Sequence, residues 1–433
     1  MSTKKIKKYF IFPLLNIKKV IRKAEDHLNN GNEIIEVVGF PIRVFCFKKP
    51  EFIKQVFSHP EVGITKAPQI LPRVAWAMKN QGGYILSGGD EWKTRRHTVQ
   101  AAFHSQLNQY ISLLPPLLEK YIANWEHQAE KHAVFDIFYD LRKLIVEYNF
   151  KKIFNADLTD EEVRTLEATT LYADLNFVKP TPMFLPTYSN IKFKKSVNTI
   201  LKTLNQKAAL RLLHAHEKKC IVDYLLEVPL KGNALTGELA SIYFGASVMG
   251  TTLAWAFSLI GSNPEVMRKL SEEARAWQPH EVTREKLMEQ KYSTAVMKEV
   301  LRHYPPSWGY PRFNEKPFAL GDYQVPAKSL VIPMVYLAQM DPANWQDPQD
   351  FKPDRFLADK SQIEPFSYLP FGAGPRACMG GALAPYVMQL VILLVSRKMH
   401  FKHCPRYPGD PISEFGFEIH PEDKVNIQFM NAK

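Results

Sequence analysis

The run Phe371-Gly372-Ala373-Gly374-Pro375-Arg376-Ala377-Cys378-Met379-Gly380 sets one cysteine among three glycines and a proline. Glycine at that density lets a backbone turn tightly and approach a bulky, flat partner. Cys378 opens a helix expected from about Cys378 to Arg397. A thiol at a helix N-terminus faces free N–H groups and the positive end of the macrodipole, which lowers its pKa and favours the thiolate. A thiolate held rigidly beneath a planar cofactor is an axial metal ligand, and Arg376, two residues away, is placed to pair with a carboxylate of that cofactor. Cys46, Cys220 and Cys404 lack such surroundings and read as inert thiols. Four cysteines scattered over 433 residues make neither a disulfide framework nor a paired zinc site, which points to a reducing compartment.

Outward from this loop the pattern is helical, then broken. From about Glu91 to Met297 apolar residues recur at helical spacing, and Gly245 to Ile260 is apolar almost all round, so that helix is buried on every side. Run from Thr236 as N-cap to Gly261, it extends about 40 Å and crosses the molecule. Asn263-Pro264 caps and starts the next helix. Beyond Tyr304, prolines every few residues exclude long helices and leave short strands such as Ser329 to Val335. Ile34 to Val38 and Arg43 to Phe47 flank Gly39-Phe40-Pro41 and read as a β-hairpin. The fold class is mainly α with minor β, a single large domain over residues 31–433 organised by the long central helix, preceded by a basic arm and first helix over 1–30.

Composition narrows the function. With 45% hydrophobic and 23% charged residues the chain buries a large core, which excludes disorder, collagen and coiled coil. The net charge is +12, and eight basic residues precede the first acid, Glu25. The apolar run Tyr9 to Leu15 is interrupted by Pro13 and is far shorter than the roughly 20 residues that cross a bilayer, so no transmembrane anchor is expected. Nor does it read as a secretory signal. A basic segment around an apolar patch is either a solvated arm or a peripheral membrane contact. No stacking platform accompanies the basic residues, so nucleic acid is not an expected partner. The expected location is cytoplasmic.

The loop resembles the haem-binding loop of the cytochrome P-450 family, Phe-Gly-x-Gly-x-Arg-x-Cys-x-Gly, and matches every fixed position: Phe371, Gly372, Gly374, Arg376, Cys378 and Gly380. The other landmarks follow in order from about Ile85 to the C-terminus, and the chain looks like a soluble bacterial-type member. The resemblance implies a haem b cofactor with Cys378 on the iron and Phe371, Gly372, Arg376 and Gly380 around it. Glu299-Val300-Leu301-Arg302 alone would read as a surface ion pair worth under about 1 kcal/mol. With Phe351-Lys352-Pro353-Asp354-Arg355-Phe356 behind it, the resemblance implies a buried structural triad of Glu299, Arg302 and Arg355. Trp92 and Arg96 fall where the family contacts one haem propionate, and Arg312 where it contacts another.

The central helix departs from the family pattern. Counted back without a gap from Asn263-Pro264 and Trp255, the Ala/Gly-Gly-x-Asp/Glu-Thr stretch falls on Phe244-Gly245-Ala246-Ser247-Val248, where only the glycine matches. The acid and alcohol that relay protons toward dioxygen are thus Ser247 and Val248, and valine donates no proton. Thr251 and Thr252 stand one turn later on the same faces. Ser247, Thr251 and Thr252 are the candidates for proton delivery; the alternative for a mid-helix threonine is a bond to a carbonyl one turn earlier.

The resemblance implies a monooxygenase that oxidises a lipophilic small molecule with dioxygen. No reductase module is expected beyond residue 433, and electrons are expected from a separate ferredoxin or flavodoxin with its reductase, drawn to a basic surface near Cys378. Phe244, Gly245, Val248, Trp308, Tyr310 and Phe415 fall where the substrate pocket is expected, or are plain core. Ser247-Val248 also motivates a peroxygenase or a non-oxygenase haem-thiolate enzyme, such as an isomerase or dehydratase. A haem-bearing binding protein without turnover is the third reading.

Overall fold

The computed structural model describes residues 6–431 apart from 11–16, 40–41, 59–61, 64–71, 78–82, 180, 215–218, 228–229, 231–232, 279–280, 359–362, 408, 410–412, 416–417 and 422–423. In chain order the principal helices are α1 (Ile17–Leu28), α2 (Gly89–His104), α3 (Leu114–Glu130), α4 (Phe138–Phe154), α5 (Asp160–Asn176), α6 (Tyr188–His214), α7 (Ala234–Gly261), α8 (Pro264–Ala276), α9 (Lys291–His303) and α10 (Ala384–Lys398). After α9 the described part of the proline-rich segment forms short strands, one five-residue helix (Val335–Gln339) and 3₁₀ turns until α10, with no long helix, as expected from its missing N–H donors.

The long apolar helix is α7. Its 28 residues are apolar almost all round and mostly buried, from Leu239 to Ile260. It begins at Ala234 with Asn233 as N-cap, three residues before the expected cap at Thr236. The Thr236 hydroxyl does not cap it and instead donates to Asn205. α4 lies against it so closely that a Cβ on Gly250 would stand 2.9 Å from the Cα of Arg142. Pro264 fills the first turn of α8, where a missing N–H costs nothing; the Asn263 amide turns back to the Leu259 carbonyl. Trp255 of α7 stacks face to face on Tyr304 at 3.7 Å and donates its indole N–H to the Ile419 carbonyl. That carbonyl belongs to a C-terminal hairpin of Ser413–Phe415 with Ile419–Pro421.

The main sheet has six strands, ordered Lys7–Phe10, Ile34–Gly39, Ile42–Phe47, Ser329–Pro333, Arg312–Asn314 and Val62–Gly63. The expected hairpin is its centre, antiparallel with Ile34 opposite Phe47. The described parts of residues 1–30, expected as a basic arm and first helix, lie against this sheet. Lys7–Phe10 pairs in parallel with Ile35–Val38, and Val20, Ile21, Ala24 and Leu28 of α1 are buried in one core with Ile35, Leu330 and Ile332. Most of the Tyr9–Leu15 run lies outside the described residues.

Candidate active site

The Cys378 loop is built by its glycines. Gly372 and Gly374 hold φ of 67° and 70°, left-handed values that a side chain disfavours, and a Cβ on Gly374 would meet the Phe57 carbonyl at 2.8 Å. The Cys378 N–H donates back to the Phe371 carbonyl at 2.8 Å, closing the loop. The helix expected at Cys378 begins later: a 3₁₀ turn over Met379–Ala382 comes first, and α10 starts at Ala384 because Pro385 suits a first turn. The thiol expectation changes with it. Burial among the surrounding atoms pushes the Cys378 thiol up, and the N–H groups of Gly380 and Gly381 and the Arg96 charge only partly oppose this. A bound metal cation would hold it deprotonated. The residue is nonetheless exposed, because its sulfur opens into a cavity.

Counted to its open mouth, the cavity has about 920 Å³ of empty space. Cys378, Phe371, Gly380 and Met379 form one wall; Gly245, Ala246, Val248, Met249 and Thr252 of α7 form another. At the Cys378 loop three guanidiniums crowd together. Arg96 donates to the Ala377 carbonyl at 2.8 Å, Arg376 to the Ser87 carbonyl at 2.8 Å, and Arg312 to its neighbour Pro311 at 3.1 Å. The Arg376 guanidinium lies 4.5 Å from the centre of the Trp92 ring, and that of Arg96 lies 5.8 Å from it. Among the described residues no carboxylate pairs with any of the three arginines. Burial, then the neighbouring charge, lowers Arg312 and Arg376 to about 10 each, with Arg376 acting on Arg312 and Arg96 on Arg376. Three cations without an anion beside a thiol in an apolar cavity fit a planar cofactor that carries carboxylates on one edge, and haem b is such a group.

The expected triad is assembled. Arg302 donates Nε and Nη2 to Glu299 at 2.8 and 2.9 Å, Arg355 donates Nε at 3.0 Å, and the Lys352 N–H adds a bond at 2.9 Å. Burial alone would raise the Glu299 carboxyl, but Arg302, then His303 and the Lys352 N–H, hold it down at about 2. Gln339, which the sequence did not single out, carries the clamp to the loop. Its amide donates to the Leu301 and Arg302 carbonyls, and its oxygen accepts from the Leu369 N–H. The Tyr310 hydroxyl donates to the carbonyls of Leu369 and Pro370 at 3.2 and 2.9 Å, so Tyr310 lines the cavity and also supports the loop.

Other pocket candidates divide. Gly245 and Val248 line the cavity. Phe244 does not; it packs edge-on against Phe177 and Tyr243. Trp308 is core, buried with Val20, Ile332 and Met334, because its segment runs under the six-stranded sheet. Phe415 is in the C-terminal hairpin, and its side chain lies outside the described residues.

The hydroxyls of α7 divide as well. Thr252 lines the cavity and donates to the Val248 carbonyl at 3.0 Å. Ser247 and Thr251 do not line it; they meet a buried ionic cluster centred on Arg142 of α4. Arg142 donates Nε to Glu167 at 3.2 Å, Nη2 to Asp174 at 3.2 Å, and Nη1 to Thr251 at 3.1 Å and Glu418 at 3.5 Å. Thr251 donates to Glu418 at 2.9 Å and Ser247 reaches Asp174 at 3.4 Å. Among the described residues, Asp174 Oδ1 and Glu418 Oε2 have no hydrogen-bond partner. Burial raises both carboxyls, mutual repulsion raises Glu418 further, and Arg142 opposes both. The carboxylate missing at position 247 is thus present beside it, on α5. No sequence spacing announces this, because Arg142, Asp174 and Glu418 come from three distant segments.

A thiol loop under a buried helix, a three-arginine rim and a Glu-Arg-Arg clamp define a haem-thiolate protein. The Cytochrome P450 family profile matches residues 10–425, and the chain belongs to that family of monooxygenases. It is 28% identical to Cytochrome P450 710A2 of Arabidopsis thaliana over 73% of this chain and 68% of the relative. It is 25% identical to Cyclooctat-9-en-7-ol 5-monooxygenase of Streptomyces melanosporofaciens, over 86% and 83%. Cytochrome P450 3A5 of Homo sapiens is also 25% identical, over 74% and 69%.

Proposed function

We propose that this chain oxidises a lipophilic small molecule with dioxygen, taking electrons from a separate one-electron carrier such as an acidic ferredoxin or flavodoxin. The observation that carries this reading is the Cys378 sulfur opening into an apolar cavity beneath α7, beside three arginines without described acidic partners. When bound, haem supplies the oxygen chemistry. Cys378 holds the iron, Arg96, Arg312 and Arg376 hold the carboxylate edge, and Trp92, Phe371, Gly372 and Gly380 shape the seat. The Glu299-Arg302-Arg355 clamp keeps the loop in register through Gln339. Val248, Ala246 and Met249 present an apolar face that excludes water and favours an apolar substrate.

Thr252 is the hydroxyl between Gly245 and Thr252 that borders the cavity, and we assign proton delivery to it. Ser247 and Thr251 anchor the opposite side of α7 to the Arg142 cluster. The placement of Val248 on the cavity wall favours a second reading, a peroxygenase, in which both oxygen and oxidising equivalents come from hydrogen peroxide. Relatives from plant, animal and bacterial sources leave the source type open, and we propose a soluble, cytoplasmic protein. The described helix long and apolar enough to span a bilayer is α7, and 78% of its most apolar window is buried.

The test is a substrate screen on haem-loaded protein run in parallel with a ferredoxin system plus dioxygen and with peroxide alone. Product from the first supports the monooxygenase; product from peroxide only selects the peroxygenase. Absence of the red-shifted Soret band in the reduced, carbon monoxide-bound protein, or its persistence in Cys378→Ala, would overturn the site.

A further inference from the structure

One more ionisable group stands in the same cavity. Lys152 of α4 is 1% exposed and lines the space that Cys378 opens into. Its Nζ donates to the Asn149 side-chain oxygen at 3.0 Å and lies 5.7 and 5.3 Å from the ring centres of Phe103 and Tyr148. Among the described residues it meets no carboxylate. A lysine in that setting carries its charge at a high desolvation cost, and aromatic faces and one amide offset only part of it. Phe103 follows Arg96 by seven residues on α2, a rise of about 10 Å. Lys152 therefore borders the cavity end away from the arginine rim, where no acid is expected on the cofactor.

We propose that Lys152 couples proton uptake to reduction of the haem, an inference that rests on the haem-thiolate reading above. Reduction adds one negative charge to a low-dielectric cavity, and an ammonium within it favours that charge. When one electron arrives from a one-electron carrier protein, the Lys152 amine takes one proton from water, and the charge of the cavity is unchanged. Burial lowers this amine to about 7, so the exchange falls near neutral pH.

The groups around it do not replace it. Tyr84 and Tyr310 share the cavity, and Tyr148 neighbours it on α4; burial raises all three, so they stay neutral. Cys378 lines the same cavity and is assigned to the iron, and Arg96 stands seven residues before Phe103 along α2. The Arg142 cluster lies ten residues back along α4, about 15 Å away. Glu238 of α7, which accepts from the Tyr84 N–H and pairs with Arg95, is raised by burial to about 7 and is the competing titrant.

Midpoint potential measured by spectroelectrochemistry between pH 5.5 and 9 tests this on the haem-loaded protein. The wild-type potential falls as pH rises, each tenfold difference in Lys152 proton affinity between the two oxidation states contributing about 59 mV. Lys152→Met gives a flat profile at the low end, and Glu238→Gln keeps the slope. A flat wild-type profile overturns the proposal whether or not the variants fold. So does a slope kept in Lys152→Met, which would assign the proton to the arginine-held carboxylates, or a slope lost in Glu238→Gln. If the thiolate Soret band is absent from wild type, the haem reading itself has failed instead.

Discussion

Glu299 shows how much one carboxylate carries. It accepts from two guanidiniums and a backbone N–H while fully buried, so Glu299→Gln leaves Arg302 buried beside an uncharged amide. The expected loss is about 3–5 kcal/mol. The pH sign follows from the depressed carboxyl. Its folded value near 2 lies below the ordinary 4.5, so its stabilisation is present above pH 4.5 and is lost as pH falls toward 2. Urea midpoints measured from pH 6 to 2 should fall in wild type and change less in the variant. Thr252→Val should leave haem binding unchanged while uncoupling electron consumption from product severalfold; unchanged coupling would return Thr252 to a purely structural bond with Val248. The cysteine and the arginines were legible because their residue types and spacing are fixed by a cofactor. Lys152 was not, since Lys151 beside it is a solvent-facing lysine paired with Asp157 and nothing in Phe150-Lys151-Lys152-Ile153-Phe154 says which turns inward.

At the level of elements, the α4–α7 contact and the Arg142 cluster are one construction. Gly250 allows the helices to touch, and the touching backbone is that of Arg142. Gly250→Ala should cost about 1–3 kcal/mol through forced separation and should weaken the Arg142–Thr251 bond with it. The cluster has the opposite pH sign from Glu299. Asp174 and Glu418 are raised above their unfolded values, so the folded state holds extra protons, and stability falls as pH rises through their folded values. Thermal midpoints compared between wild type and the Asp174→Asn, Glu418→Gln double variant should converge at low pH and separate as pH rises. The helix itself was readable from its apolar run, and its partner was not: an arginine at 142 gains three acids only when α5 and the C-terminal hairpin fold beside it.

For the whole molecule, the question is how electrons enter. Lys93 shares α2 with Arg96, and its side chain is 70% exposed. Lys93→Glu should slow reduction by an acidic carrier severalfold at low salt and flatten the salt dependence, measured by stopped flow, without moving the Soret band. An unchanged rate and salt dependence would place the carrier elsewhere. The single α-rich domain was legible because an all-round apolar helix and a proline-dense segment leave few ways to pack. The docking of Lys7–Phe10 and α1 was not, because a basic segment with few apolar positions looks the same in solvent as against a sheet edge.

Trp255 stands where the long helix, the segment after α9 and the C-terminal hairpin meet, stacked on Tyr304 and tied to Ile419. An indole so enclosed is an intrinsic fluorescent reporter. Displacement of the hairpin would hydrate it and shift its emission to the red while circular dichroism still records intact helices, giving a readout of the hairpin's packing on the long helix that needs no label.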